Sequence, residues 1–79
     1  MDLKFTGDNL NEIRKARRMT ITELAKRAGV AHTTTYRHIK KGIFSISDLY
    51  MYCEVLGCQP IDILDAKADR TKYSLEVDI

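Results

Sequence analysis

The twenty residues Ile21-Thr22-Glu23-Leu24-Ala25-Lys26-Arg27-Ala28-Gly29-Val30-Ala31-His32-Thr33-Thr34-Thr35-Tyr36-Arg37-His38-Ile39-Lys40 decide how the chain is to be read. Thr20-Ile21-Thr22-Glu23 opens them as a capping box, in which the Thr20 hydroxyl can accept from a first-turn amide and Glu23 can reach back to the Thr20 amide. Leu24, Ala25 and Ala28 then fall on one helical face, with Lys26 and Arg27 on another, and Gly29 can take the left-handed conformation that closes a helix. The small Ala25 lets a second helix approach, Gly29 makes the tight turn and Val30 plugs the angle. This is the spacing of two helices crossing at about 90–120° through a short turn. The second of them, Ala31 to about Lys40, is expected against propensity: it lacks a strong N-cap residue, and Thr33-Thr34-Thr35 lose side-chain entropy in a helix. Packing of Val30, Thr35 and Ile39 has to decide it.

Outward from this unit the pattern stays helical. Leu10, Ile13, Arg14, Arg17 and Met19 recur at spacings of three and four, which predicts a first helix over about residues 8–18. After Gly42, Ser45-Ile46-Ser47-Asp48 offers a second capping box. It opens a helix whose apolar positions are Ile46, Leu49, Cys53 and Leu56, with Tyr50 and Tyr52 on its flanks and Gly57 at its end. A short fifth helix begins at Pro60, where a missing amide hydrogen costs little, and contributes Ile61, Ile63 and Leu64. The expected fold class is all-α, five helices in a single domain over residues 1–79, with a core over 8–66 and the two-helix unit at 21–40. The ends read otherwise. Leu3-Lys4-Phe5-Thr6 and Tyr73-Ser74-Leu75-Glu76-Val77-Asp78-Ile79 alternate with period two and are read as short strands. A lone strand cannot satisfy its backbone, so the termini pair with each other or the tail at 67–79 pairs with its copy in a second subunit. The second arrangement is favoured, with Tyr73, Leu75, Val77 and Ile79 as the dimerisation face; a frayed terminus is the plainer reading.

Composition narrows the function. A chain of 79 residues supports one modest core and hardly an enclosed active-site cavity as well. No carboxylate pair in a plausible cleft, no glycine-rich phosphate loop and no nucleophile with an orienting base is apparent, so no enzyme is expected. His32, His38, Cys53 and Cys58 do not match a zinc framework, and neither a metal nor a cofactor is expected. The two cysteines read as small hydrophobes in a reducing cytosol. No stretch approaches the roughly 20 apolar residues of a membrane span, and the first residues lack a signal-peptide pattern, so a cytoplasmic protein with no membrane partner is expected.

The net charge of +2 conceals an asymmetry. Residues 1–42 carry ten basic and four acidic side chains, a net +6, whereas residues 43–79 carry three basic and seven acidic, a net −4. A basic half suits a polyanion, because each neutralised phosphate releases counterions.

With the capped helix at Ile21, the Leu24-Ala25…Gly29-Val30 core, Leu10, Ile13 and Arg14 before it, and Leu49, Leu56-Gly57-Cys58 and Ile63-Leu64 after it, the sequence resembles the helix-turn-helix family of phage lambda repressor and Cro, broadly the XRE-family regulators. The resemblance covers about residues 8–66 and departs from the family at particular positions. Ile21 stands where many members have a phosphate-contacting Gln, Thr35 where an aliphatic residue is usual, and Ala31 where Ser, Thr or Gln opens the recognition helix. Ile39 stands where the repressor branch often has a Glu paired with the first-helix Arg, so Arg14 needs another partner or faces solvent. Thr35-Tyr36-Arg37-His38-Ile39-Lys40-Lys41 is also similar to the end of the recognition helix in TetR-type regulators, which carry a long ligand-binding region besides.

The resemblance implies a second helix lying in the major groove of double-stranded DNA. His32, Thr33, Tyr36 and Arg37 are then the base-reading candidates. Arg37 leads them, since a guanidinium can donate twice to guanine; a phosphate clamp is its alternative role. Thr22, Lys26, His38, Lys40 and Lys41 are read as phosphate contacts, which fix register without reading sequence. The expected function is a sequence-specific transcriptional regulator, a repressor acting as a homodimer on a palindromic operator at the nucleoid of a bacterial or phage-infected cell. The alternative is an antitoxin-type interaction module that holds a partner protein through its C-terminal half and autoregulates through the helix-turn-helix.

Overall fold

A computed structural model describes residues 2–66 of the chain. They form five helices: α1 (Lys4–Ala16), α2 (Ile21–Ala28), α3 (His32–Lys41), α4 (Ile46–Leu56) and α5 (Pro60–Leu64). α1 packs along α3 and α5, while α2 sits on α3 and α4. Leu10, Leu24, Ile39, Ile43, Leu49, Tyr52, Cys53, Leu56 and Ile63 make the core, with Ile13, Met19, Ile21, Ala28, Met51, Val55 and Cys58 packed around it.

Three of the helices close by the same device. α2 ends with Gly29 at φ 76°, and the amides of Gly29 and Val30 return to the carbonyls of Lys26 (3.2 Å) and Ala25 (3.0 Å). Crossed bonds of this kind satisfy the last carbonyls and bring the residue after the glycine back against the helix. Val30 thereby occupies the angle between α2 and α3. α4 closes alike at Gly57, with the Cys58 amide on the Cys53 carbonyl at 3.1 Å. The two free thiols meet across that turn, and burial pushes the Cys53 thiol up to about 11. α1 repeats the motif without a glycine: Arg18 takes φ 57°, and Met19 donates to the Arg14 carbonyl at 3.2 Å.

Several expectations are corrected. Leu3-Lys4-Phe5-Thr6 is no strand, because α1 begins at Lys4, whose amide donates to Asp2 Oδ1 at 2.9 Å. Thr6 is buried, its hydroxyl donating to the Leu3 carbonyl and accepting the Ile43 amide at 2.8 Å. At Gly7 the backbone of α3 comes so close that a Cβ would overlap the carbonyl oxygens of His38 and Ile39. Four alternating residues carry no partner strand with them, and a helix satisfies the same backbone locally. In α4 the stripe is Leu49, Tyr52, Cys53 and Leu56: Tyr52 is fully buried, not on a flank, whereas Ile46, at the first turn, is 72% exposed. Ser45 accepts the Asp48 amide at 3.1 Å, but the Asp48 carboxylate turns to His38 rather than back to Ser45, so only half of the second capping box forms. Of the apolar residues of α5 only Ile63 is buried. The tail strand with Tyr73, Leu75, Val77 and Ile79 lies outside the described residues.

Candidate nucleic-acid interface

The Thr20–Glu23 capping box fixes where α2 begins: Glu23 N–H donates to Thr20 Oγ1 at 3.0 Å and Thr20 N–H to Glu23 Oε1 at 3.1 Å. Leu24 and Ala25 face inward. Thr22, Lys26 and Arg27 are left on the outer side. α3 divides more sharply. Thr35, His38 and Ile39 are buried, and the face opposite exposes His32, Thr33, Tyr36, Arg37, Lys40 and Lys41, with Thr34 between the two.

That outward face is organised. The rings of His32 and Tyr36 lie 6.5 Å apart and 17° from parallel, and Lys40 Nζ sits 5.5 Å from the Tyr36 ring centre. Residues four apart on a helix stand above one another, so the three side chains make one column along α3. Arg37 lies beside the column. No acidic residue occurs between Gly29 and Ser47. A cationic, aromatic and hydroxylated helix face can take phosphates at its edges and base edges at its centre.

His38 does not belong to this surface. It was expected at a phosphate; its side chain is 8% exposed, with Nδ1 2.7 Å from the Tyr52 hydroxyl and Nε2 3.5 Å from Asp48 Oδ2. The Tyr52 hydroxyl also meets Thr35 Oγ1 at 3.1 Å. Burial lowers the His38 pKa; Asp48 works against this and Arg37 with it. Burial likewise raises the Tyr52 pKa, the hydrogen bond with Thr35 offsetting part of it. Sequence reasoning missed this cluster, although a signal existed: Tyr52 lies three residues after Leu49 and four before Leu56, on the buried stripe, and Thr35 occupies an otherwise aliphatic position.

Arg14 has found partners within and just beyond its own helix. Its Nε and one terminal nitrogen donate to Asn11 Oδ1 at 3.0 and 2.7 Å, and the other to the Met19 carbonyl. Arg17 Nε donates to the Leu56 carbonyl at 2.9 Å, and Asn9 Nδ2 to the carbonyls of Ile63 and Asp65, tying α1 to the ends of α4 and α5. These side chains serve the frame, not the interface. Among the described residues no group of three or more His, Cys, Asp or Glu is placed to hold a metal ion, and no helix is long and apolar enough to cross a membrane.

Comparison with known proteins agrees with this geometry. The Cro/C1-type helix-turn-helix DNA-binding domain matches residues 9–69. The chain is similar, at 33% identity over 63 residues, to the uncharacterized HTH-type transcriptional regulator YozG of Bacillus subtilis (strain 168), covering 77% of this chain and 75% of that one. Two solved structures share the fold. The restriction-modification controller protein C.AhdI of Aeromonas hydrophila superposes with a TM-score of 0.69 at 21% identity, over 77% of this chain and 92% of its own. The hypothetical transcription factor NHTF from Neisseria does so with a TM-score of 0.78 at 22% identity, over 91% and 85%. With a capped α2 closed by Gly29 and a basic outer face on α3, the chain belongs to the Cro/C1-type helix-turn-helix family and is a DNA-binding domain of the transcriptional-regulator kind.

Proposed function

We propose that the protein is a sequence-specific repressor that binds a two-fold symmetric operator as a homodimer in the cytoplasm, with α3 in the major groove. The observation that carries this is the outward face of α3, where His32, Thr33, Tyr36 and Arg37 are exposed together on a helix that itself carries no acidic residue. In this reading Arg37 donates to a guanine, Tyr36 and Thr33 meet thymine methyls or base edges, and Thr22, Lys26, Lys40 and Lys41 hold phosphates on either side. Two copies of α3 about 34 Å apart would enter successive major grooves, and occupancy would exclude polymerase. Dimerisation is assigned to Tyr73, Leu75, Val77 and Ile79.

Selection from random duplex DNA tests the proposal, followed by binding of the enriched pool and of scrambled DNA across a salt series. The expected result is a symmetric motif with half-sites about one helical turn apart. Enrichment of nothing, with only weak and salt-sensitive binding, would refute DNA reading. It would move the function to a protein partner held by the C-terminal half, as in an antitoxin.

A further inference from the structure

The buried face of α3 is poor in apolar contact: of Thr35, His38 and Ile39, only Ile39 is a hydrocarbon. Hydrophobic contact is non-directional and by itself leaves a helix free to roll on its neighbour. Directional contacts come from one oxygen. The Tyr52 hydroxyl, projecting from α4, lies 3.1 Å from Thr35 Oγ1 and 2.7 Å from His38 Nδ1, and Tyr52 is wholly buried. Its ring meets the imidazole edge-on, with centres 5.5 Å apart at 81°.

The protons in this cluster can be placed. A bare Nε2 lone pair facing the Asp48 carboxylate at 3.5 Å would be repelled, so Nε2 carries the hydrogen of the neutral ring. Nδ1 then accepts from the Tyr52 hydroxyl, and the Tyr52 oxygen accepts from Thr35. The chain of donors runs Thr35 to Tyr52 to His38 to Asp48, and it leaves no buried side-chain polar atom without a partner among the described residues.

Thr35 and His38 are the residues that bracket Tyr36 and Arg37 in α3. Holding two points one turn apart on a helix to a single atom fixes both its roll and its axial position. We propose that the Tyr52 hydroxyl is a positioning group of the DNA interface, setting the roll of α3 and thereby the aim of Tyr36 and Arg37 at base edges. This rests on the reading of α3 as the helix that enters the groove. Tyr52 touches no DNA in this arrangement; it acts through Thr35 and His38.

The test compares Tyr52→Phe with the unmodified protein, each on the most enriched duplex recovered from a random library and on a scrambled duplex, across a salt series at pH 7.5. The readout is the ratio of the two affinities, which a smaller folded fraction does not change because it scales both alike. Tyr52→Phe should lower the ratio by about tenfold, the scale of one misaimed base contact, with the affinity for scrambled DNA and its salt slope unchanged. In an Arg37→Ala background the same substitution should cost less discrimination than it does in the unmodified protein, since the guanidinium it would misaim is gone and only the aim of Tyr36 is left to lose. Thr35→Val removes one of the two bonds at nearly constant shape. It should lower the ratio less, in the same direction, and it carries the test if circular dichroism shows Tyr52→Phe unfolded. An unchanged ratio in the folded variants, or losses that multiply independently with Arg37→Ala, would overturn the positioning role while leaving DNA reading intact. An unmodified protein that prefers no sequence would remove DNA reading and the positioning role together.

Discussion

Arg18 occupies a backbone position that glycine holds at the ends of α2 and α4. At φ 57° its Cβ crowds the following carbonyl, at a cost of roughly 1–2 kcal/mol that glycine would not incur. Arg18→Gly should therefore stabilise the protein by about 0.5–1 kcal/mol, the larger entropy loss of glycine on folding taking back part of the gain. Urea unfolding measures it, and a lower midpoint would show that the Arg18 side chain contributes more than its backbone costs. His38 sets a second prediction at this scale. Burial depresses its folded pKa below the ordinary 6.5, with Asp48 opposing from α4, Arg37 adding on α3, and the neutral Tyr52 hydroxyl against Nδ1. The unfolded chain then takes up a proton at higher pH than the folded one, so stability falls as pH drops below 6.5. Urea midpoints at pH 7.5 and 5.5 should differ in the unmodified protein, and His38→Gln should remove most of the difference. Equal shifts in both proteins would assign the effect to other groups.

At the scale of elements, the close passage of α1 over α3 leaves no room for a side chain at Gly7. Helix propensity alone predicts that Gly7→Ala stabilises α1 by about 1 kcal/mol. The added methyl would meet two backbone carbonyl oxygens, which cannot rotate away as a side-chain tip can. Overpacking of this kind costs about 1–3 kcal/mol, so the net effect should be destabilising, and a raised denaturation midpoint would refute the contact. Tertiary contact also accounts for the early start of α1, since Thr6 is held by the α3–α4 connection and Gly7 lies against α3, neither by local preference. α3 shows a comparable override. A threonine-rich run with no side-chain cap becomes helical because Thr35 and His38 have buried partners on α4 and Ile39 joins the core.

For the whole molecule, the proposed placement of α3 in the major groove separates two kinds of contact. Lys40→Ala should weaken binding to all sequences alike and reduce the slope of log affinity against log salt by about one. Arg37→Ala should instead relax preference at one base position, with a loss of about 1–3 kcal/mol on the preferred site alone. Titrations of both variants on operator and scrambled duplexes separate the two cases; a uniform loss for Arg37→Ala would make it a phosphate contact. The column of His32, Tyr36 and Lys40 should hold Tyr36 in place before DNA arrives, which limits the entropy lost on binding.

The sequence alone determined α2, α4, α5, the body of α1 and the turn after α2, because capping residues, closing glycines and apolar spacing are local and each acts within a few residues of itself; α3 it left to packing. It also determined which side chains of α3 carry charge. What it left undecided was direction and partnership. Tyr52 and Ile46 are both large side chains of one helix, and the position of α3 beyond Tyr52 makes one of them core while the other stays at the surface. His38 reads as a basic residue of a basic segment until α4 supplies Asp48 and a tyrosine hydroxyl to receive it. Four alternating residues at the start of the chain read as a strand until the α3–α4 connection claims Thr6. The Tyr52 hydroxyl lies 14 residues from His38 and the Ile43 amide 37 residues from Thr6, and contacts at that separation exist only once the helices have packed.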